Sequence, residues 1–543
     1  YRLISRFRLL PFGSMKSKNR VWTVDSELSS NRKRSSLNLS KNGNKGRGRE
    51  AWKKVIKDWL ANTFKSYCMT TSMHGFSHMI REDSTPGERR AWMFIVATAL
   101  IVSVVLLWVS WHWNEETPTV TVIESTQFPT WNIAFPAITI CNFNKISNVK
   151  AEKLAKKFDR PQNMTEDELK NLFNIVMYYS GGLRVNSSQY DQLQVVLRNN
   201  NYTAQKLLNS LSPTCNELLF RCMWKGTQTR CDSLFQAVNT TEGICCSFNY
   251  YGLVSNNYPI KLAYTIPNVP RRVTGCGYQT GLTVLLKPNT KDYFGTYLSS
   301  YGFRVLVHDS HDFPDENAET KVLTSLRESF LSISPESTYA TPDTRGLDIE
   351  TRKCLFFNER KLEVMQTYSY INCLAECRTK LVYEKCGCVP GNLPSNGSLP
   401  LCDVNQILCV VQHREIFVGS LPGLNQSIVR QERPDKLPCD CLPDCEVNHY
   451  PAEITSGVLN RDFSYSHITL FKGVKISDEV LLHVYFNDLV STRYRKDIYQ
   501  NWLATLASFG GLVGLIIGFS IVTAFEFIYY LTLRPLFDHC SAR

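Results

Sequence analysis

The chain contains no Gly-x-Ser-x-Gly elbow, no His-Glu-x-x-His helix and no glycine-rich phosphate loop. Activated serines, zinc-held water and cradled phosphates are therefore missing, and an enzyme is not expected. One histidine pair, His308-Asp-Ser-His311, sits in the polar run HDSHDFPDENAE and reads as a solvated loop rather than a metal site. No catalytic residue, metal or cofactor is assigned. Long apolar runs are scarce as well. Across 543 residues, 43% hydrophobic and 20% charged, with a mean hydropathy of −0.20, only two stretches are long enough to cross a membrane. That excludes a polytopic bundle, while the apolar content excludes a disordered chain. Nor does most of the chain carry net charge. Of 61 Lys and Arg and 49 Asp and Glu, residues 1 to 90 hold 20 and 7, leaving 41 against 42 beyond them. The surplus of +12 thus belongs to one terminal segment, and no nucleic-acid partner is expected for the rest.

Cysteine is what the chain has in excess. Its 19 cysteines far exceed what a reducing compartment favours. Six of seven Asn-x-Ser/Thr sequons, headed by Asn163, Asn186, Asn201, Asn239, Asn396 and Asn425, follow residue 130. Both observations indicate an oxidising, glycosylating space. Seventeen cysteines, from Cys141 to Cys445, lie between the two apolar stretches, and ten of them crowd into the segment that starts at Cys354. Spacings such as Cys386-x-Cys388 and Cys373-x3-Cys377 could hold zinc, but disulfides are the commoner outcome in an oxidising space. Seventeen is odd, so at least one thiol lacks an intrachain partner, and spacing alone does not set the connectivity.

Residues 91 to 111, AWMFIVATALIVSVVLLWVSW, carry no charge and no proline. At about 1.5 Å per residue they cover a hydrocarbon layer of roughly 30 Å. A 90-residue polar leader rules out a signal peptide here. Arg81, Arg89 and Arg90 precede this span and Glu115 and Glu116 follow it, which places the N-terminus in the cytoplasm. The second span, residues 502 to 533, would be about 48 Å long as a straight helix. It must tilt or break. Gly510, Gly511, Gly514 and Gly518 gather in its first half and Glu526 lies inside it. An interrupted intramembrane helix is tolerated where freed backbone lines a cavity or is buried, and an intramembrane carboxylate usually marks an ion path. Close helix packing is the other use of such glycines. Arg534 closes the span, so residues 534 to 543 also fall inside and residues 112 to 501 outside. The start at Tyr1 and the stop nine residues after Arg534 read as a piece of a longer chain.

The leader is Ser-, Asn-, Lys- and Arg-rich to about residue 49 and reads as disordered, with anionic membrane lipid as its partner. An amphipathic helix is expected from Trp52 to Leu60. Outside, Thr165-Glu-Asp-Glu168 is a capping box opening a helix through Leu172, Phe173, Val176 and Met177. Strands are expected at Lys261 to Ile266, Leu282 to Leu286, Phe303 to Val307, His467 to Phe471 and Val480 to Phe486. The outer region is therefore α+β.

Four short signatures stand in order: His74-Gly75 before the first span, Phe135-Pro-Ala-Ile-Thr-Ile-Cys141-Asn142 after it, Gly243-Ile-Cys245-Cys246-Ser-Phe-Asn249 in the outer region, and Gly518-Phe519-Ser520 in the second span. Together they resemble the degenerin/epithelial sodium channel family, in its pickpocket-type and acid-sensing branches, from about His74 to Tyr530. The resemblance implies an integral membrane protein with two transmembrane helices flanking a disulfide-rich α+β ectodomain of finger, thumb, palm, β-ball and knuckle. It implies a homo- or heterotrimer of the plasma membrane, with both termini cytoplasmic. The expected function is a subunit of an amiloride-sensitive, sodium-selective cation channel gated or modulated by an extracellular stimulus. A two-pass, disulfide-rich receptor or adhesion protein is the rival, but it gives no use to a glycine-rich span with an intramembrane Glu.

The same resemblance assigns residues. Gly518-Phe519-Ser520 is similar to the selectivity filter, in which backbone carbonyls face the ion. Ala507 stands at the small-residue position whose enlargement holds such channels open, Ser508 replaces an acidic residue of acid-sensing relatives, and Gly514 belongs to the same pore segment. Glu526 matches a pore-helix carboxylate, and His74-Gly75 the gating motif beneath the pore. The implied bridges are Cys354–Cys445, Cys373–Cys441, Cys377–Cys439, Cys386–Cys409 and Cys388–Cys402, with Cys222–Cys231 and Cys141–Cys245 upstream. Cys215, Cys246 and Cys276 remain, and Cys246–Cys276 is the expected extra bridge. Acid-sensing relatives carry adjacent carboxylates after the strand that ends here at Val307-His308, whereas this chain has His311-Asp312. Arg352-Lys353 stands before Cys354 where those relatives have a tryptophan. Acid, peptide, small-molecule, mechanical and constitutive gating all stay open.

Overall fold

The computed structural model describes residues 45–179, 187–252, 269–296, 298–413, 439–460, 469–534 and 536–537. They form two compact units, one from the chain up to Ser103 together with Val513 onward, the other from Val104 to Leu512.

In the first unit, helix α1 (Lys45–Thr70) contains the expected Trp52 to Leu60 segment and extends it at both ends. A five-residue helix, α2 (Phe76–Ile80), follows Gly75, whose φ of 79° admits glycine readily. Helix α3 (Pro86–Glu116) starts on proline, whose fixed φ suits a first helical turn. It outruns the expected span by five residues at either end. Only 11% of its most apolar window is buried within the chain, and Phe94 is 73% exposed. Apolar side chains that face outward along a whole helix belong against lipid. The second span breaks into a half-helix at Trp502–Ile517 and another at Ile521–Ile528, with a π turn at Tyr529–Leu533.

The second unit is built on four sheets. Its strands are β1 (Thr119–Pro129), β2 (Ala137–Asn142), β3 (Asn144–Ser147), β4 (Leu219–Trp224), β5 (Thr227–Thr229) and β6 (Phe235–Thr240). Next come β7 (Gly243–Phe248), β8 (Leu282–Leu286), β9 (Tyr293–Thr296), β10 (Gly302–His308), β11 (Glu319–Thr324) and β12 (Arg327–Ile333). The last five are β13 (Glu336–Ala340), β14 (Val447–His449), β15 (Ala452–Val458), β16 (Val480–Phe486) and β17 (Val490–Ile498). The sheet orders are β1-β17-β13-β14, β11-β10-β2-β7-β6, β15-β12-β16-β8-β4-β5 and β3-β9. One core joins the five- and six-stranded sheets through Phe135, Ile138, Phe248, Val284, Phe303 and Phe486. Truncating one of these phenylalanines to alanine costs about 3–5 kcal/mol. The residues of β2 are all buried, so both its faces are covered and its polar side chains, Thr139 and Asn142, lie in the interior.

Helices α4 (Asn148–Lys157), α5 (Glu166–Leu172), α6 (Ser187–Asn199) and α7 (Ala204–Leu211) share a separate core around Leu169, Phe173 and Leu193. The Thr165/Glu168 capping box is present. Beyond Leu172 the expected α-helix tightens into a 3-10 helix at Phe173–Tyr179. Phe173 and Val176, both buried, are three apart, and a 3-10 helix stacks that spacing on one face. Strands fall where expected at Leu282 to Leu286, Phe303 to Val307 and Val480 to Phe486. Of the strand expected at His467 to Phe471, the first two residues lie outside the described residues, and Thr469–Phe471 is instead a 3-10 turn where the Arg221 guanidinium donates to the Leu470 carbonyl. The Lys261 to Ile266 segment lies outside the described residues.

Helices α8 (Tyr370–Cys386) and α9 (Val404–Gln412) carry the crowded cysteines. Bridges close Cys354–Cys445, Cys373–Cys441, Cys377–Cys439, Cys386–Cys409 and Cys388–Cys402, and upstream Cys141–Cys245 and Cys222–Cys231. The eighth bridge corrects the expectation: Cys246 pairs with Cys215, and Cys276 is an exposed free thiol. Neighbours on a strand point to opposite faces. Cys245 therefore meets Cys141 on one side of β7 while Cys246 reaches the large core, where Cys215 packs. Asn163, Asn201, Asn239 and Asn396 are exposed, as glycan acceptors must be, while Asn186 and Asn425 lie outside the described residues.

Candidate functional site

The second span breaks because its sequence provides a stop and a new start two residues apart. Gly518 takes φ 74°, the left-handed value that ends a helix and favours glycine. Its N–H still donates to the Gly514 carbonyl at 2.9 Å. Ser520 then caps the next helix, its hydroxyl accepting from the Thr523 N–H in a reciprocal capping box. The two half-helices meet at a bend of 69°. Among the described residues, no backbone N–H donates to the carbonyls of Gly518 and Phe519.

Residues 71 to 75 brace the break from beneath the sequence gap. The His74 N–H donates to the Ile517 carbonyl at 2.8 Å. A Cβ added to Gly518 would lie 2.9 Å from the His74 ring. The Ser72 and Thr523 hydroxyls are 3.3 Å apart, and the Thr71 hydroxyl donates to Glu526 Oε2 at 3.5 Å. Gly75 turns the chain where a Cβ would meet Val96 at 2.8 Å, so α3 backs the same segment. The structure thus gathers His74, Gly75, Gly518 and Glu526 into one place. Ala507 and Ser508 lie on the first half-helix and are not part of that cluster. A Cβ at Gly510 or Gly511 would meet nothing within 4 Å among the described residues, whereas one at Gly514 would touch the Phe519 carbonyl at 3.7 Å.

In the second unit, the polar run after β10 is not the solvated loop expected of it. His308 is buried. Its Nδ1 faces the Asp309 carbonyl at 2.9 Å and its Nε2 the Thr139 hydroxyl at 2.8 Å. A carbonyl can only accept, so Nδ1 carries the proton and Nε2 accepts from Thr139. Burial pulls the His308 pKa down to about 4. With both ring nitrogens engaged, His308 cannot pair with His311 around a metal.

The same run opens onto a cavity of about 940 Å³ whose wall carries Asp309, Asp312, Asp444 and Glu446 beside Tyr339 and Tyr368. Burial and the neighbouring Asp309 charge push the Asp312 carboxyl well above its ordinary range, with the Ser369 hydroxyl opposing. Burial raises Asp444 to about 6, although the Tyr370 N–H donates to it. Burial acts on Asp309 too, yet the His311 ring and backbone N–H and Asn448 hold that carboxyl below its ordinary value. Arg272 lines the cavity but directs its guanidinium to the Asn132 carbonyl. Sequence reasoning found Asp312 and missed both partners. Asp309 lies in a polar run and Asp444 beside a disulfide cysteine, and neither has a neighbour in sequence that marks it. The usable signal was Cys445, whose bridge to Cys354 ties Asp444 to the crowded cysteine segment.

With this geometry in place, the comparisons define the class. The model of the amiloride-sensitive sodium channel family matches residues 67–530. Pickpocket protein 11 of Drosophila melanogaster is 28% identical over 480 residues, spanning 87% of this chain and 76% of that protein. Sodium channel protein Nach of Drosophila ananassae is 26% identical, covering 89% of this chain and 90% of its own. The bile acid-sensitive ion channel of Mus musculus is 24% identical, covering 86% of each. The chain belongs to the amiloride-sensitive sodium channel family, whose members are ion channels of the plasma membrane rather than enzymes.

Proposed function

We propose that the chain is one subunit of a trimeric, amiloride-sensitive, sodium-selective channel gated from outside the cell. Residues 91–111 and 502–533 would span the membrane, with residues 1–90 and 534–543 in the cytoplasm and 112–501 outside. The observation that carries the reading is the broken second span. Three copies of Gly518-Phe519-Ser520 around an axis would present unpaired carbonyls to a partly dehydrated ion, the arrangement by which filters replace hydration oxygens. Glu526, a costly residue within a span at about 2.5–3.5 kcal/mol, would form a ring of three carboxylates that attracts cations. Ala507, Gly510, Gly511 and Gly514 leave one helix face without bulk that nothing in the same chain requires, which suits close approach by neighbouring copies. His74 and Gly75 would hold the filter's shape. A non-conducting receptor has no use for any of these features.

The test is expression in oocytes, alone and with related subunits, of the wild type and Ala507→Phe. The enlarged residue is expected to give a standing sodium current blocked by amiloride. Surface trimers that pass no current in either form would sink the reading.

The cavity of carboxylates favours extracellular acid as the stimulus. Asp444 would take up a proton near pH 6, and Asp312, also held well above its ordinary range, would add to the uptake, with Asp309, Tyr368, Tyr450, His311 and Arg272 around them. Current steps on lowering external pH from 7.5 to about 5.5, lost in Asp312→Asn with Asp444→Asn, check it.

A further inference from the structure

A second polar site lies where β2 and β3 run into α4. Asn142 is 4% exposed, and its Oδ1 accepts from the Asn144 N–H at 3.1 Å and the Tyr293 hydroxyl at 3.0 Å. A backbone N–H can only donate, so the amide cannot be flipped. Its Nδ2 therefore faces the other way, and there it has no partner among the described residues. A buried donor without a partner destabilises the fold unless something meets it.

Beside it, on the wall of the same recess, is Lys145, 8% exposed. Its ammonium has one polar contact among the described residues, Glu242 Oε2 at 3.9 Å. Glu242 also takes the Arg304 guanidinium, so two cations share one half-buried carboxylate. Burial pulls Lys145 down to about 8, with Glu242 opposing and Arg304 adding to the effect. The recess has room for about 10 Å³, the space of a single oxygen-sized atom. It shares Asn142, Asn144, Pro213 and Leu218 with an adjoining cavity of about 450 Å³. Lys150, Lys153 and Lys287 line that cavity. The acids there are already engaged: Asp292 accepts from the Val149 N–H at the start of α4, and Glu217 from Lys150.

A buried amide donor and an undercompensated ammonium need an acceptor that carries negative charge. We infer that this site binds a small organic dianion, one carboxylate oxygen entering the recess between Asn142 Nδ2 and Lys145 Nζ and the second acidic group meeting Lys153 and Lys287. A halide fills the recess alone and gives the adjoining lysines no role. The site is remote in sequence from the second span, and the inference does not rest on the channel reading.

The test uses the full chain in nanodiscs, with thermal unfolding followed as succinate is added at constant ionic strength and isethionate as the balancing anion. Succinate is expected to raise the midpoint saturably, as a ligand of the folded state must. Lys145→Met should weaken that effect at least tenfold, since it keeps the stem and removes the charge. Asn142→Asp keeps the oxygen that Asn144 and Tyr293 donate to and turns the free donor into an anion, so the fold is retained and the succinate response lost. No saturable rise in the wild type overturns the inference. So does an equal rise with sodium chloride, which would make the recess a halide site only, or a full succinate response in both variants.

Discussion

The backbone N–H of His74 is bonded to the carbonyl of Ile517 at 2.8 Å, the last residue before the second span breaks. Ending a helix there leaves carbonyls without helical partners, and a buried carbonyl must find one. The His-Gly turn supplies it, and Gly75 is what allows the chain to turn close enough to do so. Gly518 is constrained twice, by a φ of 74° and by the His74 ring.

Gly518→Ala is therefore expected to cost about 1–3 kcal/mol in backbone strain and contact, which corresponds to roughly a tenfold loss of sodium current or more. Surface protein should change by less than about twofold, because the strain is local. Adding His74→Ala removes the ring that the new methyl meets, so part of the loss should return. Two-electrode recordings with surface biotinylation measure both quantities. Strictly additive losses in the double variant would refute the contact.

The two apolar stretches were legible because length and composition set them: 21 uncharged residues from 91 to 111, and a glycine-rich stretch too long for one straight crossing, which had to tilt or break. The cap at Ser520 closes locally on Thr523, but the bracing by Ser72 and His74 was not legible, since it joins opposite ends of the chain. Cysteine spacing could not pair Cys246. Only the opposite directions of two neighbours on β7 decide that it meets Cys215. The carboxylate cavity was hidden for a similar reason. Asp309 and Asp312 look like a polar loop until β10 and the N-terminus of α8 bury them beside Asp444.

Those carboxylates give a pH dependence of stability with a definite sign. Asp444 is raised from 3.8 to about 6 in the folded protein, so the fold retains a proton that the unfolded chain releases. Its stabilising contribution is complete below the unfolded value and is lost as pH rises through about 6. Asp312, also raised, acts in the same direction. Asp309, which is lowered, acts the opposite way but only at more acidic pH. His308, pulled down to about 4 by burial, opposes Asp444 and Asp312 below its unfolded value, so the gain in unfolding temperature from pH 7.5 to pH 5 is expected to be larger in the wild type than without the Asp444 carboxyl. Asp444→Asn keeps an oxygen for the Tyr370 N–H and should reduce that gain, as differential scanning fluorimetry across the range would show.

Arg378 and Asp315 form an ion pair in the interior, 2.8 Å between Nη1 and Oδ2, with both side chains at least nine-tenths buried. Replacing one partner leaves the other charge without compensation. Arg378→Met is expected to cost about 3–5 kcal/mol, which shows as intracellular retention and faster proteolysis. Arg378→Met with Asp315→Leu removes both charges and should recover most of the surface protein. A double variant as poorly delivered as the single one would mean that the charges stabilise the fold by more than their burial costs.

The free thiol at Cys276 and the Cys215–Cys246 bridge make a chemical prediction that differs from the pairing expected on the resemblance. A membrane-impermeant maleimide should label the wild type on intact cells and leave Cys276→Ser unlabelled. Because Cys245 and Cys246 are adjacent, a non-reducing digest should hold the peptides of Cys141, Cys215 and Cys245-Cys246 in one linked cluster, with the Cys276 peptide alkylated and alone. Opening the bridge with Cys215→Ser frees a loop of 31 residues' separation. By chain entropy that costs about 3–4 kcal/mol. Cys276→Ser opens no loop and should cost less than about 0.5 kcal/mol, as for other exposed positions. A Cys276 peptide found inside the cluster, with Cys215 alkylated instead, would reverse the assignment and carry the large penalty over to Cys276→Ser.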